Sequence, residues 1–389
     1  MAFRDLALSA LVLASGTMAA HAADPYRLPV IVPLTGPVAF LGQGEHTALE
    51  LVQKAVNADG GINGQPLEFD FKDDQSNPQV SVQIVNEVIA GKPAIFLGSS
   101  LVASCRAVAP LVEQGGPVAY CFSPGIHPDK GSWSFTSSVS TLDLIAGQIR
   151  YFHQQGLTRI AAIVTTDATG QDAENGIKDK IALPENQGMQ LVSLQHFNGS
   201  DVTVAAQIEA IKAANPQALI AWSTGTPIAT VFRSIADSGL DIPVVTTGGN
   251  QTYQQMAQYK SFLPKDLLIP SPGWVVRDGA KLGPEFVKTH DVFYGAYEAI
   301  GKRPDVSSEL AWDPAMITVG ALRKLGTKAT AAELHDYLEH LEYYVGIDGI
   351  FNFVKNPQRG LDGTAVIITR WDPQQDTWVM IGRPNQAQN

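Results

Sequence analysis

The sequence predicts two doubly wound α/β lobes with parallel-type sheets. Three observations predict this. Short apolar strands alternate with amphipathic helical segments from the first apolar run onward. The alternation lasts about 100–120 residues, breaks at a Ser/Thr-rich stretch, and then restarts. The composition is globular, with 45% hydrophobic and 17% charged residues in 389, which excludes disorder for the bulk of the chain.

The first strand is Leu28–Val32, closed by Pro33 and a turn at 34–37. Ala48, Leu51, Val52, Ala55 and Val56 recur at helical spacing and form one apolar face. The Gly- and Asn-rich segment 57–64 stops that helix. Leu67, Phe69 and Phe71 alternate with Glu68, Asp70 and Lys72, the pattern of a half-buried strand. Val80, Ile84 and Val88 mark a second helix. A strand at 94–97, a helix at 104–114 and a strand at 118–122 complete the first run.

After the stretch 132–141, helices are expected at 142–155 and 170–180, and across Val204, Ile208 and Ile211. Strands are expected at 159–164, 190–197, 218–222 and 243–246, with a helix between the last two. The last third offers a strand at 267–270, helices at 284–299, 311–324 and 331–341, and strands at 351–354, 365–371 and 378–381. These pieces are too few for a third domain and are expected to complete both lobes. The expected division is 23–140 and 273–345 for the first lobe, and 141–272 and 346–389 for the second.

Arg4, the apolar run 6–14 and Ala20-His21-Ala22 fit a secretory signal peptide over residues 1–22. The run is shorter than the roughly 20 apolar residues a bilayer span needs. Lys and Arg total 27 against 38 Asp and Glu, a formal charge of −11. Such a surface repels phosphate backbones, so no nucleic-acid partner is expected. Cys105 and Cys121 are the two cysteines. An oxidising compartment favours a bond between them over two buried thiols.

No nucleophile elbow, P-loop or complete dinucleotide fingerprint is present. His335 and His340 are five apart and do not share a helical face. No enzyme activity, metal or cofactor is therefore expected. The loops that follow the expected strands are rich in small polar residues: Thr35-Gly36, Ser99-Ser100, Ser123-Pro124-Gly125, Thr169-Gly170-Gln171, Thr224-Gly225-Thr226 and Gly248-Gly249-Asn250. Ligands of open α/β sheets bind at that end of the strands. Hydroxyls and free N–H groups at helix starts suit a carboxylate, although helix capping alone also produces this pattern.

The segments Pro33-Leu34-Thr35-Gly36-Pro37-Val38-Ala39, Gly42, Asn57-Ala58-Asp59-Gly60-Gly61-Ile62-Asn63-Gly64, Asp73-Asp74 and Asn77-Pro78 resemble the opening of a periplasmic solute-binding protein. The likeness is to the leucine/isoleucine/valine-binding type that serves ABC importers. It extends over the whole mature chain, more weakly after Leu267. It implies a type I fold: two Rossmann-like lobes, a three-crossover hinge and a cleft that closes on a small-molecule ligand. It also implies a periplasmic location and an inner-membrane ABC permease as partner. A monomer is expected.

The resemblance places ligand contacts at Leu101–Val102, Ser123–Gly125, Thr169 and Gly225–Thr226. The full expected set is Phe40, Leu41, Ser99, Ser100, Leu101, Val102, Ser123, Pro124, Gly125, Thr169, Gly170, Gln171, Thr224, Gly225, Thr226, Asn250, Trp274 and Trp312. In the amino-acid binders a Glu after the strand matching 243–247 holds the ligand ammonium. Here the segment reads Thr246-Thr247-Gly248-Gly249-Asn250-Gln251, without an acid. An ammonium buried without a counter-charge is costly. Segments 119–125 and 165–172 resemble the subgroup linked to aromatic acids. Phe40, Trp222, Trp274 and Trp312 suit a flat ring, or else serve as core. The expected ligand is thus an aromatic carboxylate. An amino-acid receptor and a ligand sensor are the alternatives. Arg150, Arg233 and Arg277 are candidate carboxylate partners, though Arg150 and Arg233 fall within helices.

Overall fold

Strand β1 (Tyr26–Val32) buries Leu28, Val30, Ile31 and Val32, so both of its faces are covered, as in a parallel sheet with helices on each side. The computed structural model describes residues 24–385. The expected signal peptide lies outside them. Strand β1 pairs with β2 (Leu67–Asp73) and β3 (Ile95–Gly98), and β4 (Val118–Cys121) and β5 (Ser134–Thr136) follow. The order is β2-β1-β3-β4-β5, and every pairing is parallel. Helices α1 (Ala39–Ala58), α2 (Pro78–Ala90) and α3 (Val102–Val112) connect the strands.

Strand β5 lies inside the stretch that reads as a break. Ser134 and Thr136 are polar, yet both are buried, and Thr136 Oγ1 donates to the Ser123 carbonyl at 2.6 Å. A short strand with polar residues at two of its three positions leaves no apolar signature.

The second lobe begins with α4 (Thr141–Gln154), β6 (Arg159–Thr165) and α5 (Ala168–Ile181). It continues through β7 (Gln190–Phe197), α6 (Ala205–Ala213), β8 (Ala218–Trp222), α7 (Ile228–Ser238), β9 (Val244–Val245), α8 (Tyr253–Tyr259) and β10 (Leu267–Ser271). Helix α8 escapes the sequence reading because it is a single short segment rich in Gln and Tyr.

In the last third, α9 (Val287–Glu298), α10 (Val306–Leu325) and α11 (Ala331–Glu339) return to the first lobe. Phe293 meets Trp312 edge-on at 5.0 Å, and Arg323 ties α10 to α1 through Asp59 at 3.0 Å and the Gly61 carbonyl. Helix α10 starts five residues before the expected 311. Asp305 accepts from the Ser307 N–H while Ser308 accepts from the Asp305 N–H, which closes a capping box.

A hairpin, β11 (Tyr344–Val345) and β12 (Ile350–Phe351), precedes β13 (Ile367–Asp372) and β14 (Thr377–Gly382). The second sheet runs β14-β13-β10-β9-β8-β6-β7. Its core is parallel, but β13 lies antiparallel to both β10 and β14. Residues 346–360, assigned to the second lobe by the expected division, stay against the first sheet. Phe353 packs on Phe135 at 5.8 Å, and the Gln358 carbonyl accepts from the Thr136 N–H.

Strand order reverses between β1 and β3 in one sheet and between β6 and β8 in the other. Crevices at the carboxyl ends of strands form at such reversals. The two crevices face one another. No helix among the described residues is long and apolar enough to cross a membrane.

Candidate functional site

The loops leaving β3, β4, β6 and β8 meet in a cavity between the lobes that leaves about 680 Å³ unfilled by protein atoms. Ser100, Leu101 and Val102 enter from the start of α3. Ser123, Pro124 and Gly125 come from the loop after β4, Thr169 from the start of α5, and Thr224 from the loop after β8. Leu41 and Trp274 add apolar walls. Each of these ten is a position expected from the sequence.

Backbone geometry sets where they point. A Cβ on Gly170 would sit 1.8 Å from the Thr165 carbonyl oxygen, so only glycine lets α5 start so close to the end of β6. Asp167 caps this helix by accepting from the Gly170 N–H at 2.9 Å. Helix α3 differs. Its cap position is Leu101, whose side chain offers no acceptor, so its first N–H groups lack a side-chain cap.

The remaining expected residues do not line the cavity. Ser99 lies beneath it, its carbonyl accepting from the Phe122 N–H. Gln171 turns away and donates to the Thr166 carbonyl. Thr226 is exposed. Asn250 is fully buried and holds the wall together, donating to the Ser223 carbonyl at 2.6 Å and accepting from the Gly225 N–H at 3.0 Å. Gly225 has a φ of +90° and approaches Pro37, Val38 and Phe40 across the lobe boundary, so Phe40 and Gly225 form a lobe contact. Trp312 is core of the first lobe, packed on Phe293, and Trp222 is core of the second. Arg233 lies over the Phe262 ring, Arg150 pairs with Glu185, and Arg277 pairs with Asp291 and Glu298. None of the three arginines lines the cavity.

Several lining residues are invisible to loop reading. Ser138, Thr141 and Leu144 come from the hinge and α4, Gln251 from the loop after β9, and Pro270, Ser271 and Pro272 from the end of β10. Val306, Glu309 and Leu310 come from α10. Glu309 is the one ionisable side chain in the lining. It sits one turn before Asp313 on a helix that is buried all round, and two acids in such a helix are the signal that was available.

Glu309 forms a buried cluster with Asp313 and Asp348. Asp313 accepts from the N–H groups of Ile347 at 3.1 Å and Asp348 at 3.2 Å. Burial pushes Glu309 and Asp313 up to about 7 each, and burial beside two other acids pushes Asp348 well above the carboxylate range. Glu309 and Asp348 lie within hydrogen-bond reach of each other, which requires a proton between them. Glu45 on α1, beside Ser100, is pushed up to about 8 by burial.

The lobes are joined around the cavity. Asp172 on α5 meets His127 at 2.8 Å and Arg106 on α3 at 3.4 Å. The Val306 N–H donates to the Gln251 carbonyl at 3.2 Å. Cys105 and Cys121 are bonded, with their Cα atoms 6.1 Å apart, which ties α3 to the end of β4 beside the cavity.

A profile of the periplasmic binding protein family matches residues 25–376. The chain belongs to the periplasmic binding protein family. This binding protein is 23% identical over 239 residues to the leucine-, isoleucine-, valine-, threonine- and alanine-binding protein of Pseudomonas aeruginosa. That match covers 60% of this chain and 63% of the relative's length. In structure it is similar to a branched-chain amino acid transporter substrate-binding protein from Streptococcus pneumoniae in complex with isoleucine. There the TM-score is 0.76 at 15% identity, covering 92% of this chain and 99% of the other. It is equally similar to an ABC-transporter solute-binding protein from R. palustris in complex with benzoate. There the TM-score is 0.74 at 15% identity, covering 92% and 96%. At such identities the likeness establishes the fold, with its two lobes. These relatives are binding proteins and not enzymes.

Proposed function

We propose that this chain is the periplasmic substrate-binding component of an ABC importer. It captures a small aromatic carboxylate between its lobes and presents the closed form to an inner-membrane permease. The observation that carries the reading is the start of α3. Its N–H groups have no side-chain cap, and they open on a cavity with the hydroxyls of Ser100, Ser123, Thr141 and Thr169. The lining also includes the apolar side chains of Leu41, Leu144, Trp274 and Leu310, which suit a ring. Ligand that touches both lobes favours the closed population, because only the closed form offers both sets of contacts.

A second reading, an amino-acid receptor, draws on one observation: Glu309 places an acid in the cavity wall although the 246–251 segment has none. A thermal-shift screen of refolded, ligand-stripped protein separates the two. Ligand at about 100 times its Kd adds about 2.7 kcal/mol, several degrees of Tm. Shifts with benzoate- or cinnamate-type acids support the proposal. Shifts with leucine or valine alone transfer the assignment to the amino-acid reading. Silence across the whole panel refutes carboxylate capture.

A further inference from the structure

A second hollow lies outside the interlobe cavity, on the flank where α9 of the first lobe meets α8 and β14 of the second. It leaves about 1440 Å³ free of protein atoms and opens to solvent. Its lining includes Trp274 and Trp378, both buried, and the Nε1 of each has no hydrogen-bond partner. An indole N–H can only donate. A buried donor without an acceptor is costly, and an occupant that brings the acceptor removes the cost.

The charges around this hollow run against those of the whole chain. Four cations, Arg277, Lys281, Lys302 and Arg303, line it against two acids, Asp278 and Glu298, in a protein of formal charge −11. The two arginines are engaged. Arg277 lies over the Tyr294 ring and pairs with Asp291 and Glu298. Arg303 lies 3.6 Å from the centre of the Tyr253 ring and meets Asp376 at 2.8 Å. The lysines are not engaged: Lys281 and Lys302 are exposed and pair with no acid among the described residues. Ammonium and indole N–H groups donate and do not accept, so the occupant that suits them is an acceptor-rich anion. With two free ammonium groups, each can meet its own carboxylate.

The hollow also spans the lobe boundary. Lys302 belongs to the first lobe and Trp378 to the second, while Trp274 lines the interlobe cavity as well.

We infer that this hollow is a second ligand site, taking a small anion with two or more carboxylates and coupled to the interlobe cavity through Trp274. An anion there touches both lobes, so it favours the closed form that the cavity ligand favours. Each ligand then raises the affinity of the other. The site does not depend on which ligand the cavity takes.

The test is calorimetric titration of stripped protein with citrate, alone and with saturating benzoate. One citrate should bind per chain, and benzoate should tighten it. Lys281→Glu with Lys302→Glu should weaken citrate at least roughly tenfold and leave benzoate affinity in the absence of citrate within about twofold. Both lysines are exposed, so the fold should survive, as an unchanged urea midpoint would show. Trp378→Phe keeps a ring, removes the N–H, and should weaken citrate about fivefold. No citrate binding, or binding that ignores the lysine variant, overturns the site. Citrate that competes with benzoate has entered the interlobe cavity and overturns it too. Equal citrate affinity with and without bound benzoate overturns the coupling. If citrate binds in this way and no aromatic acid binds at all, the second site stands and the carboxylate reading of the cavity fails.

Discussion

Raising the pH from 5 to 8 should destabilise the ligand-free protein. The perturbation acts on Glu309, Asp313 and Asp348, which share one buried pocket of the first lobe. In the unfolded chain such carboxyls titrate near 4. In the fold, burial holds Glu309 and Asp313 at about 7 and Asp348 higher. A carboxyl raised in this way contributes fully below its unfolded value, and the contribution is lost as the pH climbs through its folded value. Moving Glu309 from 4.5 to about 7 corresponds to about 3 kcal/mol. The three acids share protons, so their losses overlap and do not sum.

Glu45, pushed to about 8, acts in the same direction. Asp73 and Asp362, held low by hydrogen bonds, lose their contribution only below about pH 4, outside the window. His290 opposes the trend. Burial holds its pKa down, so its contribution is lost as the pH falls below about 6.5. The net expectation is a loss of about 3 kcal/mol between pH 5 and pH 8, read by urea unfolding at four pH values with linear extrapolation. Asp348→Asn should flatten the slope. Stability that stays level or rises from pH 5 to 8 would refute the reasoning, because it would mean that the acids are hydrated in solution.

Two further outcomes follow from the lobe contacts and the disulfide. Denatured protein should show no free thiol, and replacing both Cys105 and Cys121 by serine should cost about 3 kcal/mol in chemical denaturation, the loop-entropy value for their spacing; two titratable thiols would overturn the bond. Asp172→Asn removes the acid that faces His127 and Arg106 across the cleft, and should weaken ligand affinity roughly fivefold, about 1 kcal/mol; unchanged affinity would mean that this contact does not favour closure.

What the sequence determined by itself is the architecture. Apolar runs such as Leu28–Val32 and Ile160–Val164 are local signals, because a strand buried on both faces has to be continuously apolar. The loops after those strands were legible for the same reason, and Ser100, Ser123 and Thr169 do reach one cavity. Side-chain direction within a loop was not legible. Thr169 lines the cavity while Gln171, two residues on, turns back to the Thr166 carbonyl. Trp312 has the composition of a ligand platform but faces Phe293, because the rotation of α10 is set by its packing on α1 and α9. That rotation brings Glu309 to the cavity, and the hairpin at 344–351 brings Asp348 up behind it. Residues 309, 313 and 348 become one acidic cluster only through contacts between elements distant in sequence. No local periodicity encodes such contacts, so only the tertiary structure decided the chemistry of the cavity wall.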